Sequence, residues 1–246
     1  MKFFDCNVCF GPATIPAPKQ TDTAEALLEE MDFCEIDEAL VFHAAMRDDF
    51  AGTGNRLAAK AVQDHRRLHA TWAILPPQTA ELSHTIEKFF DNMKKNGVWA
   101  LRAFPQQHRY LLNDTTFHEL FDRMEMSRVP LIVPGDWAVV EALLRERPKL
   151  TVLAIQPSNH GQDRYFRPLV EKFPNFHVDT GKYQCDGGIE AFCAKYGPER
   201  ILYGSGFPDM PMGAGMLHVL HADIPDPDKE LVAAGNLTRL MKEVRL

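Results

Sequence analysis

Arg128-Val129-Pro130-Leu131-Ile132-Val133-Pro134-Gly135-Asp136, the amphipathic run 137–147, and Leu150-Thr151-Val152-Leu153-Ala154-Ile155 together form the passage that decides the fold. Two short apolar runs rich in β-branched residues flank a stretch with helical spacing. Pro134 and Gly135 close the first run, and Asp136 stands where a helix cap belongs. Strands joined through a helix pair in parallel, because a parallel crossover needs about a dozen residues or more.

The same alternation extends in both directions. Strands are expected over residues 2–6, 38–43, 68–75, 98–103, 130–133, 150–155, 175–179 and 200–203. Helices are expected over 21–34, 55–67, 79–96, 115–127, 137–147, 164–173 and 188–196, with two more over 213–221 and 229–244 at the end. Asp22 or Thr21 is the expected cap of the first helix, and Gly97 the glycine that ends the third. Eight strand–helix units in 246 residues predict one α/β domain over residues 1–246, a closed (β/α)8 TIM barrel. The longest irregular stretches, 11–20, 106–114 and 156–163, each follow a strand and are expected on the active face. Neither a Gly-x-Gly-x-x-Gly turn after the first strand nor a phosphate-binding Gly-x-x-x-x-Gly-Lys loop occurs, which disfavours dinucleotide and P-loop chemistry.

Composition narrows the class. A formal charge of -7 gives no basic surface for phosphate backbones, so no nucleic-acid partner is expected. No apolar run reaches the roughly 20 residues of a membrane span, and the N-terminus lacks the pattern of a signal peptide. Five cysteines, an odd number scattered along the chain, suit reduced thiols, and the expected location is cytoplasmic. Cys6 and Cys9 form Cys-x-x-Cys, but on a predicted strand rather than at a helix start and without a second pair, which weakens a redox or zinc reading.

Several pieces, taken in order, resemble one family. They are the opening Phe4-Asp5-Cys6-Asn7-Val8-Cys9, Asn96-Gly97-Val98-Trp99-Ala100-Leu101-Arg102, Arg128-Val129-Pro130-Leu131-Ile132-Val133, Arg200-Ile201-Leu202-Tyr203-Gly204-Ser205-Gly206-Phe207-Pro208, and Gly235-Asn236-Leu237-Thr238-Arg239-Leu240. Together they resemble the amidohydrolase-related (amidohydrolase-2) family of the amidohydrolase superfamily, which includes decarboxylases, lactonases and hydratases of small carboxylated compounds. The resemblance implies a hydrolase or carbon–carbon lyase class. It also implies a metal held by Asp-x-His-x-His on strand one, by histidines on strands five and six, and by an aspartate on strand eight. In this chain those positions are Asn7, Cys9, Pro134, Gln156 and Gly206. An amide, a thiol, a proline and a glycine do not supply the imidazoles and carboxylates that a catalytic divalent ion needs. The expectation is therefore no metal and no cofactor. The protein is read as a metal-independent enzyme acting on a small carboxylated metabolite. The alternatives are a catalytically inactive ligand-binding or scaffolding pseudoenzyme, and an ordinary metal-dependent hydrolase or decarboxylase with a shifted ligand set. Self-association into a homo-oligomer is compatible with all three.

Candidate residues follow from strand ends. Positions 7 and 9 lie two apart on a strand and share a face. Asn7 is read as a substrate contact, and Cys9 as a nucleophile or as a small apolar replacement. Arg102 ends strand four, where its planar fork suits a carboxylate, or a loop acid. His43 ends strand two and Asp179 ends strand seven; both are catalytic acid–base candidates, with a hydrogen-bonded structural histidine as the other reading of His43. Gln156, His160 and Lys182 follow strands six and seven and complete the expected binding set.

Overall fold

The computed structural model describes residues 1–157 and 161–246. Eight strands run β1 (Phe4–Phe10), β2 (Glu38–His43), β3 (Leu68–Ala73), β4 (Ala100–Arg102), β5 (Leu131–Pro134), β6 (Val152–Ile155), β7 (Phe176–Asp179) and β8 (Ile201–Leu202). Each pairs in parallel with the next, in the order β1 through β8. The seam between β8 and β1 is closed by Cys6 N donating to Tyr203 O (3.0 Å), Gly206 N to Asn7 O (3.1 Å) and Cys9 N to Phe207 O (2.9 Å). The sheet is the (β/α)8 barrel that the alternation predicts.

Helices α1 (Ala24–Phe33), α2 (Ala45–Asp48), α3 (Ala51–Val62), α4 (Ile86–Lys95), α5 (Asp114–Ser127), α6 (Trp137–Glu146), α7 (Asp163–Lys172), α8 (Gly188–Tyr196) and α9 (Met212–His221) lie in the connections between strands and beyond β8. Some boundaries differ from expectation for identifiable reasons. The first helix is capped by Thr23, whose side chain accepts from Ala26 N, rather than by Thr21 or Asp22. The third expected helix starts only at Ile86, where Thr85 accepts from Lys88 N. The prolines at 76 and 77 confine the preceding chain to a single turn at Pro77–Thr79. The last expected helix is broken into α10 (Asp226–Glu230), a wider π turn (Leu231–Gly235) and α11 (Asn236–Glu243). Buried Asn236 explains its own motif: its amide donates to Pro198 O (2.7 Å) and Ile201 O (3.0 Å), fastening α11 beneath the start of β8.

Two apolar layers result. Phe4, Cys6, Leu40, Ala100, Ile132, Leu153 and Leu202 fill the barrel interior, closed from below by Leu237 and Leu240 of α11. A larger layer lies between strands and helices and includes Val8, Val41, Leu101, Val133 and Val178. Among the described residues no helix is long and apolar enough to cross a membrane.

β1 carries the feature that shapes the site. Its register against β2 shifts between Asp5 and Val8. Simple alternation would put Cys6 and Asn7 on opposite faces, but the shift resets the parity. Phe4 and Cys6 face the interior below, and Asn7 and Cys9 still face the mouth above. The buried Asp5 carboxylate stabilises this kink, with Oδ1 accepting from Asn7 N and Ser205 N, both at 3.0 Å.

Candidate functional site

The loops after the strands surround a cavity of about 500 Å³ lined by Asn7, Cys9, Phe42, Arg47, Arg102, Phe104, Gln156, Phe207 and Asp209, with Pro134, Gly135 and Asp136 on the β5 side. Four of the expected residues, Asn7, Cys9, Arg102 and Gln156, therefore meet in one place.

Arg102 dominates this group. It is 1% exposed. Its Nη1 donates to Asn7 Oδ1 at 2.9 Å, and its guanidinium carbon lies 4.4 Å from the centre of the Phe42 ring. Nε and Nη2 are buried and have no hydrogen-bond partner among the described residues. Burial pulls the Arg102 pKa down to about 10, so it stays charged at neutral pH. Asp5 and Asp179, both fully buried, lie within its electrostatic reach, and each has one oxygen, Oδ2, without a partner among the described residues.

The other expected residues stand elsewhere. His43 does not line the cavity: Nδ1 accepts from Ala45 N at 3.1 Å, and its ring meets Phe10 edge-on at 5.2 Å. Burial lowers its pKa, so it is a neutral histidine fixing the start of α2. Its geometry matches the hydrogen-bonded structural histidine that was the other reading of this residue. Asp179 lies outside the cavity lining, with Oδ1 accepting from Gln156 N (2.7 Å) and Gly181 N (3.0 Å); burial pushes its pKa well above the ordinary carboxylate range. It ties the end of β6 to the loop after β7. Lys182 lines a separate pocket with Thr180, Ser205 and His218, its Nζ 3.8 Å from Asp209 Oδ2. His160 lies outside the described residues.

Arg47, Gln106 and Asp209 also line the mouth and were not among the expected site residues. The signal for Arg47 was its place just after strand two, in a loop of the face where barrel ligands bind. Asp136 behaves as the cap it was read to be, its side chain accepting from Val139 N.

Cys9 lines the cavity but is 4% exposed, and burial pushes its pKa up to about 12. A thiol in that state is a poor nucleophile. All five cysteines are free, and Cys185 is the exposed one. Iodoacetamide at neutral pH is therefore expected to label Cys185 in the native protein and to spare Cys9, as read by peptide mass spectrometry. Labelling of Cys9 as fast as Cys185 would restore it as a nucleophile.

Among the described residues no group of three or more His, Cys, Asp or Glu side chains is placed to hold a metal ion. Asn7 Oδ1 is already taken by a cation, and Cys9 is held as a thiol. The Gln156 amide takes up the space beside Gly206, its Nε2 2.5 Å from where a Cβ at Gly206 would lie.

No protein-family model matches the chain, and no curated protein is similar to it. Solved structures do share its fold. 5-Carboxyvanillate decarboxylase from Sphingomonas paucimobilis superposes with a TM-score of 0.72 at 16% identity, covering 99% of each chain. 2,6-Dihydroxybenzoate decarboxylase from Rhizobium does so with a TM-score of 0.73 at 15% identity, over 98% of this chain and 99% of that one. A Staphylococcus aureus protein assigned as an amidohydrolase gives 0.77 at 13% identity, over 98% of this chain and all of its own. At such identities the likeness shows the fold alone.

Proposed function

We propose that this chain is an amidohydrolase-related barrel that takes a small carboxylated molecule into its mouth without a metal, with Arg102 as the anchor. The observation that carries this reading is the Arg102 guanidinium, buried at the cavity and braced by Asn7 and Phe42, with two nitrogens unpaired among the described residues. A buried charge of this kind gains most from a bidentate anion, and a carboxylate matches its fork. Phe42, Phe104 and Phe207 on the same walls favour a planar, apolar body behind the acid. The two decarboxylases of the same fold are named for small aromatic acids of this kind. Five unpaired thiols fit a reducing cytoplasm.

Turnover, of a hydrolase or carbon–carbon lyase kind, is the second reading. It is favoured by Asp209, a half-exposed carboxylate on the cavity wall that can carry a proton.

Calorimetric titration with small mono- and dicarboxylic acids, aromatic and aliphatic, tests the binding. At least one aromatic acid is expected to bind the wild type. A charge-assisted bond to a carboxylate is worth roughly 1.5–3 kcal/mol, so Arg102→Ala should weaken that acid by about ten- to a hundredfold. Equal binding to both proteins would make Arg102 purely structural, and no binding to the wild type would end the small-acid reading. NMR of the same mixtures, followed for loss of the acid, separates an enzyme from a binding protein.

A further inference from the structure

We propose that the Arg102 guanidinium takes the place of a metal ion at this mouth, as a permanent cation that the barrel supplies from its own fourth strand. The proposal rests on the amidohydrolase-related reading, which assigns the five replaced positions, and goes beyond it by saying what replaced the ion.

The guanidinium has the surroundings of a bound cation. An oxygen ligand, Asn7 Oδ1, lies at 2.9 Å, supplied by the first of the two β1 positions where the resemblance expects a histidine. Cys9, at the second, shares the cavity and feels the Arg102 charge. Two buried carboxyl groups, Asp5 and Asp179, lie within its field on the inner side, and the Phe42 ring presents its face at 4.4 Å. Two of the three remaining replacements, Gln156 and Gly206, close on each other. Gly206 lacks a side chain, and the Gln156 amide reaches into the space beside it. Three of the five replaced positions thus enter into new pairs. One pair, Asn7 with Arg102, brings in a fixed positive charge. The other, Gln156 with Gly206, puts an amide into the space that a side chain at position 206 would take. A divalent ion entering this mouth would meet a fixed cation and an amide N–H, both of which oppose it. At the guanidinium an anion would meet the reverse, while Asp136 and Asp209 elsewhere on the lining carry the opposite charge.

The experiment has two arms, both independent of the acid panel. In the first, chelator-washed protein is titrated with Zn²⁺ and Mn²⁺ by calorimetry. The expected result is no stoichiometric binding that depends on Asn7 or Cys9. One equivalent bound tightly, and lost in Asn7→Ala and Cys9→Ala, would overturn the proposal. In the second, Arg102→Ala is melted with and without millimolar methylguanidinium or methylurea, which match in shape and differ in charge. The expected result is a lowered Tm partly restored by methylguanidinium and unaffected by methylurea. Equal recovery with both would mean that the site needs bulk rather than charge, and would overturn the proposal. If Arg102→Ala does not fold, Arg102→Lys is compared with Arg102→Met. Lys melting higher supports the cation, and Met melting as high or higher overturns it. Rescue by methylguanidinium in a protein that binds no acid would sink the proposed ligand while leaving the cation standing.

Discussion

Gly204→Ala is expected to destabilise the barrel by about 3 kcal/mol, more than the same change two residues on at Gly206. A Cβ at Gly204 would lie 2.7 Å from Asp179 Oδ2, 2.8 Å from Cys6 Sγ and 3.0 Å from Asp179 Cβ. None of these atoms can yield. Asp179 is held by two backbone amides, and Cys6 is fully buried in the barrel interior. Gly206 is required differently. A Cβ there meets the far end of the Gln156 side chain, which can rotate away, so the residual cost is its φ of +73°, about 1 kcal/mol. Urea denaturation of the two variants at one pH measures the difference. A Gly206→Ala loss equal to or larger than that of Gly204→Ala would show that Asp179 and Cys6 do not crowd Gly204 as described.

These two glycines also show what the sequence could and could not reveal. The strand–helix alternation was legible because burial on both faces of a parallel strand writes a short apolar run, and helices write their own period. Asn7 and Cys9 were legible as mouth residues from the resemblance, which puts the family's strand-one ligands there, and their two-residue spacing put them on one face. Their pairing with the core below was not, because the register shift between Asp5 and Val8 depends on amides donated by Asn7 and by Ser205, some 200 positions away. Arg102 could be placed at a strand end, but its brace from Asn7 joins residues 95 apart and leaves no local mark. His43 stayed open between two readings for a related reason. A histidine ending a strand looks alike in sequence whether its ring turns into the cavity or back onto Ala45 N, and here the local bond wins. Asp179 was correctly placed at the end of β7, but nothing local told that its carboxyl would be sealed beneath the mouth rather than open to it.

That burial leads to the other large effect. Asp179→Ala is expected to cost about 2–4 kcal/mol, because it leaves the Gln156 and Gly181 amides without their acceptor and opens a void. Asp179→Asn should cost less than Asp179→Ala, since burial already disfavours the charged carboxylate and the amide Oδ1 can still accept both bonds. The sign of the pH dependence distinguishes this from an ordinary paired aspartate. Burial raises Asp179 well above its usual range and lifts Asp5 from 3.8 to about 6. Where the folded pKa is raised, the folded state binds more protons than the unfolded one. Stability is then fully present below the unfolded pKa and is lost as pH rises through the folded one. For Asp5 that window runs from 3.8 to about 6 and is worth up to roughly 3 kcal/mol. For Asp179 it extends to higher pH in the same direction. Wild-type stability, measured by urea denaturation, should therefore lose the Asp5 contribution as pH rises from about 4 to about 6, and Asp179→Asn should remove the further loss that Asp179 adds in the same direction. A wild type that instead gains stability over this range would mean that Asp179 is ionised and paired. Arg102 would then be held by Asp179 from below rather than left to an anion from the mouth.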